Sequence, residues 1–144
     1  MDRQGCEALT FHALEKTLPN GLHDAELLGV EIDYANNTAA LDLLVDFSIP
    51  PQGNDATPPA EQARLGCLLF SGVQFVVIDP PGVGADGFAP SRIDAGSGVP
   101  IGPAVPLPVV QSPGFLVWIF VDRLNAFIRI AASDVSIGWR HDVE

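Results

Sequence analysis

The stretch Leu28-Gly-Val-Glu-Ile-Asp-Tyr-Ala-Asn-Asn-Thr-Ala-Ala-Leu-Asp-Leu-Leu-Val-Asp-Phe47 decides the fold. Leu28, Val30, Ile32 and Tyr34 alternate with other residues, Asn36-Asn37 interrupts, and Ala39, Leu41, Leu43, Val45 and Phe47 alternate again. A side-chain period of two sends neighbours to opposite faces, so each run reads as a strand with one buried face. Asn tolerates the positive φ of a tight turn, which makes the two runs a hairpin. With Asn36 and Asn37 as a two-residue loop, Leu28 opposes Val45, Val30 opposes Leu43 and Ile32 opposes Leu41. All three pairs are apolar, as an inner face requires.

The same register defines an outer face. Glu31 then stands opposite Asp42, with Asp33 and Asp46 nearby and Leu27, Gly29 and Leu44 among them. Like charges facing each other across a sheet cost about a few tenths of a kcal/mol. Neither strand carries a lysine; Arg64, Arg92, Arg129 and Arg140 are the cations that other segments can lay across the face. Two readings follow: a solvated acidic face that confers solubility, or a docking surface for a basic protein.

Outward from the hairpin, Glu7 to Thr17 reads as a short helix, with Leu9, Phe11, Ala13, Leu14 and Leu18 supplying an apolar face and Pro19-Asn20-Gly21 ending it. Residues 49–61, rich in proline, form a loop. Arg64 to Ser71 and Val73 to Asp79 read as one bent strand or two adjoining strands around Ser71-Gly72, the second apolar on both faces. Residues 80–112 contain seven prolines and six glycines, so no periodicity survives and the segment reads as a long loop. Within it, 100–108 suggests an extended, polyproline-like run laid over the domain. Phe115–Val121, Asn125–Ala131 and Asp134–Trp139 complete an up-and-down unit. The expected architecture is a single α+β domain over 1–144. It has a predominantly antiparallel sheet of about six strands, one amino-terminal helix and the long Pro/Gly-rich loop 80–112, with all-β as the near alternative.

Composition narrows the chemistry. The 144 residues carry 18 acidic against 7 basic side chains, a net charge of −11, and Lys16 is the single lysine. Phosphate-backbone binding needs clustered Lys and Arg, so nucleic acid is excluded as a partner. The longest strongly apolar run, Phe115 to Val121, is far shorter than the about 20 residues of a spanning helix, so no membrane is expected. Cys6 and Cys67 are far apart and lack a C-x-x-C spacing, which suits free thiols in a cytoplasmic protein, with a single disulfide between them as the alternative.

Motif chemistry is mostly rejected. Gly82-Val-Gly-Ala-Asp-Gly87 spells G-x-G-x-x-G, but Pro80-Pro81 precedes it and Phe88-Ala-Pro90 follows where a helix must begin. His12, His23 and His141 share no ligand spacing, so neither metal nor cofactor is expected. Ser97 lacks the flanking glycine pattern of a nucleophile elbow. No catalytic residue emerges. Leu22-His23-Asp24-Ala25-Glu26 is the most pointed polar cluster, where a histidine beside carboxylates suits a general base, a ligand or a turn.

Gly21-Leu-His-Asp-Ala-Glu-Leu-Leu-Gly-Val-Glu-Ile-Asp-Tyr34, with Asn125-Ala-Phe-Ile128, resembles a group of short uncharacterised bacterial proteins that look like the small α+β immunity proteins of toxin systems. The resemblance implies a bacterial, cytosolic, non-enzymatic protein and carries no site residues with it. The leading expectation is therefore a domain that binds a basic protein or itself through Glu31, Asp33, Asp42 and Asp46, with His23, Asp24 and Glu26 as secondary candidates. The alternatives are a hydrolase-like enzyme or small-ligand binder, with its pocket under the 80–112 loop and using His23 and Asp24, and a structural homo-oligomer subunit.

Overall fold

The computed structural model describes residues 11–18, 21–46, 63–88, 90–98 and 106–140. Cys6, the first turn of the expected helix, the loop 49–61 and residues 100–105 of the polyproline-like run lie outside the described residues. The elements in chain order are α1 (Phe11–Glu15), β1 (Glu26–Asp33), β2 (Thr38–Asp46), β3 (Ala63–Ser71), β4 (Phe75–Ile78), β5 (Ile93–Ser97), β6 (Phe115–Val121), a 3-10 turn (Asp122–Leu124), β7 (Ala126–Ala132) and β8 (Asp134–Trp139). The strands form two antiparallel sheets, ordered β1-β2-β3-β8 and β4-β7-β6-β5. The protein is mostly β, with one short helix among the described residues.

The single sheet of about six strands is thus corrected to two sheets holding eight strands among the described residues. One extra strand comes from the break between β3 and β4. The other, β5, lies inside the segment expected to be structureless. Its sequence, Ile93-Asp-Ala-Gly-Ser97, carries one large apolar side chain, so it has no alternation to read. It exists because β6 supplies the partner, pairing Ile93 with Val121 and Ala95 with Ile119. Gly96 permits this approach: a Cβ there would come within 2.6 Å of the Trp118 indole.

The connection between the sheets is a two-stranded ribbon bent over as a unit. β3 pairs with β8 through Phe70↔Val135 and Ser71↔Asp134, and β4 pairs with β7 through Phe75↔Ala131. At the bend, Gly72 adopts φ 61° and any Cβ on it would collide with Ser133 Oγ. The Ser133 amide and hydroxyl both donate to Ser71 O, at 3.1 and 3.3 Å, and Gln74 N donates to Ala131 O at 2.7 Å. The expected up-and-down unit is therefore corrected: β6 and β7 are neighbours, but β8 crosses back to the first sheet beside β3. β4 is an edge strand, half-buried rather than covered on both faces.

The facing sides of the two sheets make the core. Leu41, Leu43, Val45, Leu68 and Phe70 from the first sheet meet Val117, Ile119, Ile128 and Ile130 from the second, all in one apolar cluster. Helix α1 packs against β8 and β5, inserting Phe11 and Leu14, and Phe11 stacks on Phe70 with centroids 6.4 Å apart. β1 begins beside β5, where Leu27 N donates to Ser91 O and Ile93 N to Ala25 O, both at 2.8 Å.

The β1–β2 register also differs from expectation. Val30 pairs with Leu41 and Ile32 with Ala39, because the loop is four residues, Tyr34 to Asn37, rather than two. Asp33 makes that loop: Oδ1 accepts from Ala35 N and Asn36 N at 3.0 and 3.2 Å, and Oδ2 from Asn36 Nδ2 at 2.8 Å. Asn37 closes it at φ 53°. An irregularity between Leu27 and Gly29 turns Leu27 inward, leaving Leu28 exposed.

The bend gives the first prediction. Gly72→Ala is expected to lower the unfolding free energy by about 1–3 kcal/mol, from left-handed strain and the Ser133 clash together. Gly138→Ala, which meets nothing within 4 Å, is expected to be close to neutral. Paired urea melts check the contrast.

Candidate functional site

Alternation along four strands builds the outer face of the first sheet. Glu31 and Asp33 from β1 lie on it with Thr38, Ala40, Asp42, Leu44 and Asp46 from β2, since each residue shares a face with its cross-strand partner. β3 adds Leu65, Cys67 and Leu69. Glu31 stands opposite Ala40 and Asp42 opposite Gly29, so the direct Glu31–Asp42 opposition is corrected to a diagonal relation. Arg140 reaches in from beyond β8, its amide donating to Leu65 O and its Nη2 lying 3.1 Å from Asp42 Oδ1. The face is an apolar stripe of Leu44, Leu65 and Leu69 beside carboxylates on β1 and β2. Leu65, Cys67 and Leu69 escaped the sequence reading because β3 is apolar on both sides, so its alternation is masked.

The four carboxylates differ in what they do. Glu31 is exposed. Asp42 is engaged with Arg140, an exposed pair contributing about 0–1 kcal/mol. Asp33 holds its turn, and the donors from the Asn36 side chain and backbone keep its carboxyl below the usual carboxylate range. Asp46 lies half-buried at the end of β2, opposite Ala63. In their midst, burial pushes the Cys67 thiol up, the Asp42 carboxylate pushes it further, and Arg140 pulls it back.

His23 and Asp24 occupy a different place, at the corner where the chain enters β1. Asp24 has φ 64° and its amide donates to Ile93 O at 2.9 Å, pinning the turn to β5. The His23 ring lies 3.5 Å from Asp24 Oδ2 through Nε2 and 3.4 Å from Asp94 Oδ1 through Nδ1. Both residues line a shallow cleft of about 210 Å³ with Arg92, Phe120 and Asp122. The His23 side chain is 69% exposed, and no Ser, Thr or Cys among the described residues lines the cleft. Glu26 opens β1, half-buried, opposite Leu44 and bridged by its backbone to Arg92. No group of three or more His, Cys, Asp or Glu among the described residues is placed to hold a metal ion.

Of the other arginines, Arg64 sits over the Trp139 ring at 4.6 Å. Arg129 lies on the outer side of the second sheet, paired across strands with Trp118 and Val77, and is wholly buried. Its Nη1 bonds Asp79 Oδ1 at 2.7 Å, and its guanidinium stands 5.0 Å from the Phe127 ring. The G-x-G-x-x-G run has a packing role: Gly82 N donates to Leu124 O, Asp86 N to Arg123 O, and Asn125 Nδ2 to Val83 O, fastening it to the β6–β7 turn. A Cβ on Gly82 would strike Asn125 O. No helix among the described residues is long and apolar enough to cross a membrane.

No protein-family model, curated protein or solved structure matches this chain.

Two predictions test the acidic face. In a Cys6→Ser background, Asp42→Asn is expected to speed alkylation of Cys67 at neutral pH and Arg140→Ala to slow it, because the first removes a charge opposing the thiolate and the second removes one favouring it. Timed iodoacetamide labelling with mass detection reads both. For Asp33, a folded-state value below the unfolded one means its stabilisation is present above the model-compound 3.8 and is lost as pH falls through the folded value. Asp33→Ala is accordingly expected to melt below the native protein at neutral pH, the gap closing in acid. Thermal melts along that pH series check it.

Proposed function

We propose that this protein is a non-enzymatic binding domain whose contact surface is the acidic outer face of the first sheet. The observation that supports it is the outward-facing leucines beside Glu31, Asp33, Asp42 and Asp46: Leu44 and Leu65, both half-buried, and Leu69, which is exposed. A face serving only solubility has no use for a stripe of leucines. An apolar centre with a charged rim is the anatomy of a protein interface, where the apolar part supplies affinity and the charges set encounter rate and specificity. The complementary partner is a protein with a basic patch around apolar side chains. An immunity-type role in a bacterial cytoplasm, in which this face covers a basic toxin, is the specific form the proposal takes.

A hydrolase built on His23 has less behind it, because the imidazole stands mostly in solvent and no Ser, Thr or Cys lines its cleft among the described residues. A hydroxyl or thiol nucleophile and its base need mutual hydrogen-bond reach, and among the described residues the polar side chains that His23 meets are the Asp24 and Asp94 carboxylates.

The test is charge reversal. Glu31→Lys/Asp42→Lys is expected to leave the fold intact, since Glu31 is exposed and the Asp42–Arg140 pair is weak. It should abolish capture of whatever basic protein the native chain retains from its source lysate at low salt and releases at high salt. Capture of the same protein in equal yield by the double variant would remove the acidic face from consideration.

A further inference from the structure

The two sheets meet at closed corners and leave gaps between. One closed corner is the bent ribbon at Gly72 and Ser133; another is the tie between the start of β1 and β5. Helix α1, packed against β8 and β5, seals one gap with Phe11 and Leu14. Among the described residues, another gap lies where the end of β1 and its turn approach β4, the far edge of the second sheet. There the structure holds a cleft of about 310 Å³, with Ile32, Val76 and Ile78 along it and Asp33 and Thr38 at its polar side. That volume is at the lower end of small-molecule pockets, which begin at about 300 Å³.

Apolar exposure occurs at this gap, where Ile78 lines the cleft, and on the adjoining inward face of β1 at Val30, outside the lining. Ile78 shares a face with Ile128 and Val30 with Leu41, so both are inward positions, yet Ile78 is 53% and Val30 39% exposed. Inward residues one strand away, on β2, are wholly buried. Charge then selects the occupant. Both Asp33 oxygens are occupied by donors from Ala35 and Asn36, which fixes a negative charge beside the cleft. An anionic head group meets repulsion here, and a cation is drawn in.

We propose that this open corner binds a small aromatic or branched apolar group carried by a neutral or cationic molecule, and discriminates against the anionic analogue. The cleft shares Asp33 with the sheet face assigned above, but its apolar lining is on the inward side, so probe binding here and capture of a basic protein there are read independently.

Three probes sharing one ring system test it: tryptamine, indole and indole-3-acetate, titrated into the methyl-labelled full chain and followed by NMR. The expected result is saturable movement of the Ile32, Val76 and Ile78 methyl signals, with tryptamine binding at least about threefold tighter than indole-3-acetate. Ile78→Ser, at a position already half in solvent, should weaken indole at least about threefold with its melting transition retained. Stationary methyl signals with all three probes would overturn the proposal. So would equal binding of the cationic and anionic probes, or methyl shifts that follow protein concentration without any probe, which would make the corner a contact between copies.

Discussion

The bend at Gly72 and Ser133 is the constraint from which the rest of the architecture follows. A two-stranded ribbon is marginal by itself and gains stability only when a face is covered. Here β3 with β8, continued as β4 with β7, folds across itself so that one half covers the other. Each half then recruits its own neighbours: β2 and β1 extend one sheet, β6 and β5 the other. The bend holds because three bonds cross it while Gly72 leaves room for the Ser133 hydroxyl. Each fully buried Leu, Ile, Val or Phe in the resulting core contributes about 1.5–3 kcal/mol, set against the entropy of ordering its chain.

The outer faces of the two sheets handle charge in opposite ways. On the first, carboxylates stand in or near solvent, where ion pairing matters little. On the second, Arg129 and Asp79 are both buried, with the Arg129 Nε and Nη2 making no hydrogen bond among the described residues. A buried pair of this kind gives little net stability, but losing one partner strands the other charge at a cost of about 3–5 kcal/mol. Its effect is to fix geometry: Asp79 sits just past β4, so the ion pair clamps the end of that edge strand to β7.

The hairpin strands were legible because each run has one apolar face, and that pattern survives any tertiary context. Their register was not, because Asp33 and Asn36 build a four-residue loop where Asn36-Asn37 alone suggests two. That change moved the pairing by two positions. With a side-chain period of two, such a slip preserves faces. Glu31, Asp33, Asp42 and Asp46 therefore remained on the outer face as expected, while the Glu31–Asp42 opposition disappeared. Leu27 and Leu28 exchanged faces because the irregularity there shifts the alternation by one. β5 and the crossing of β8 were illegible for a different reason: both depend on partners distant in sequence. The cleft beside β4 was hidden likewise, since its residues come from β1, the β1–β2 turn and β4 and no local pattern joins them.

One strand, β1, borders both the acidic face and the open corner, and its chemistry reconciles two opposed demands. An edge strand with free backbone groups invites pairing with other chains, and open apolar residues such as Val30 and Leu28 increase that tendency. Charged side chains and an irregularity in the strand are the usual deterrents, and β1 has both: Glu31 and Asp33, and the interruption between Leu27 and Gly29. A second copy of this chain approaching edge to edge brings the same carboxylates with it and is repelled. A basic surface is attracted by the same charges. Under the proposed binding role, the residues that keep the edge from pairing with itself are also the ones that would leave it accessible to a partner of opposite charge.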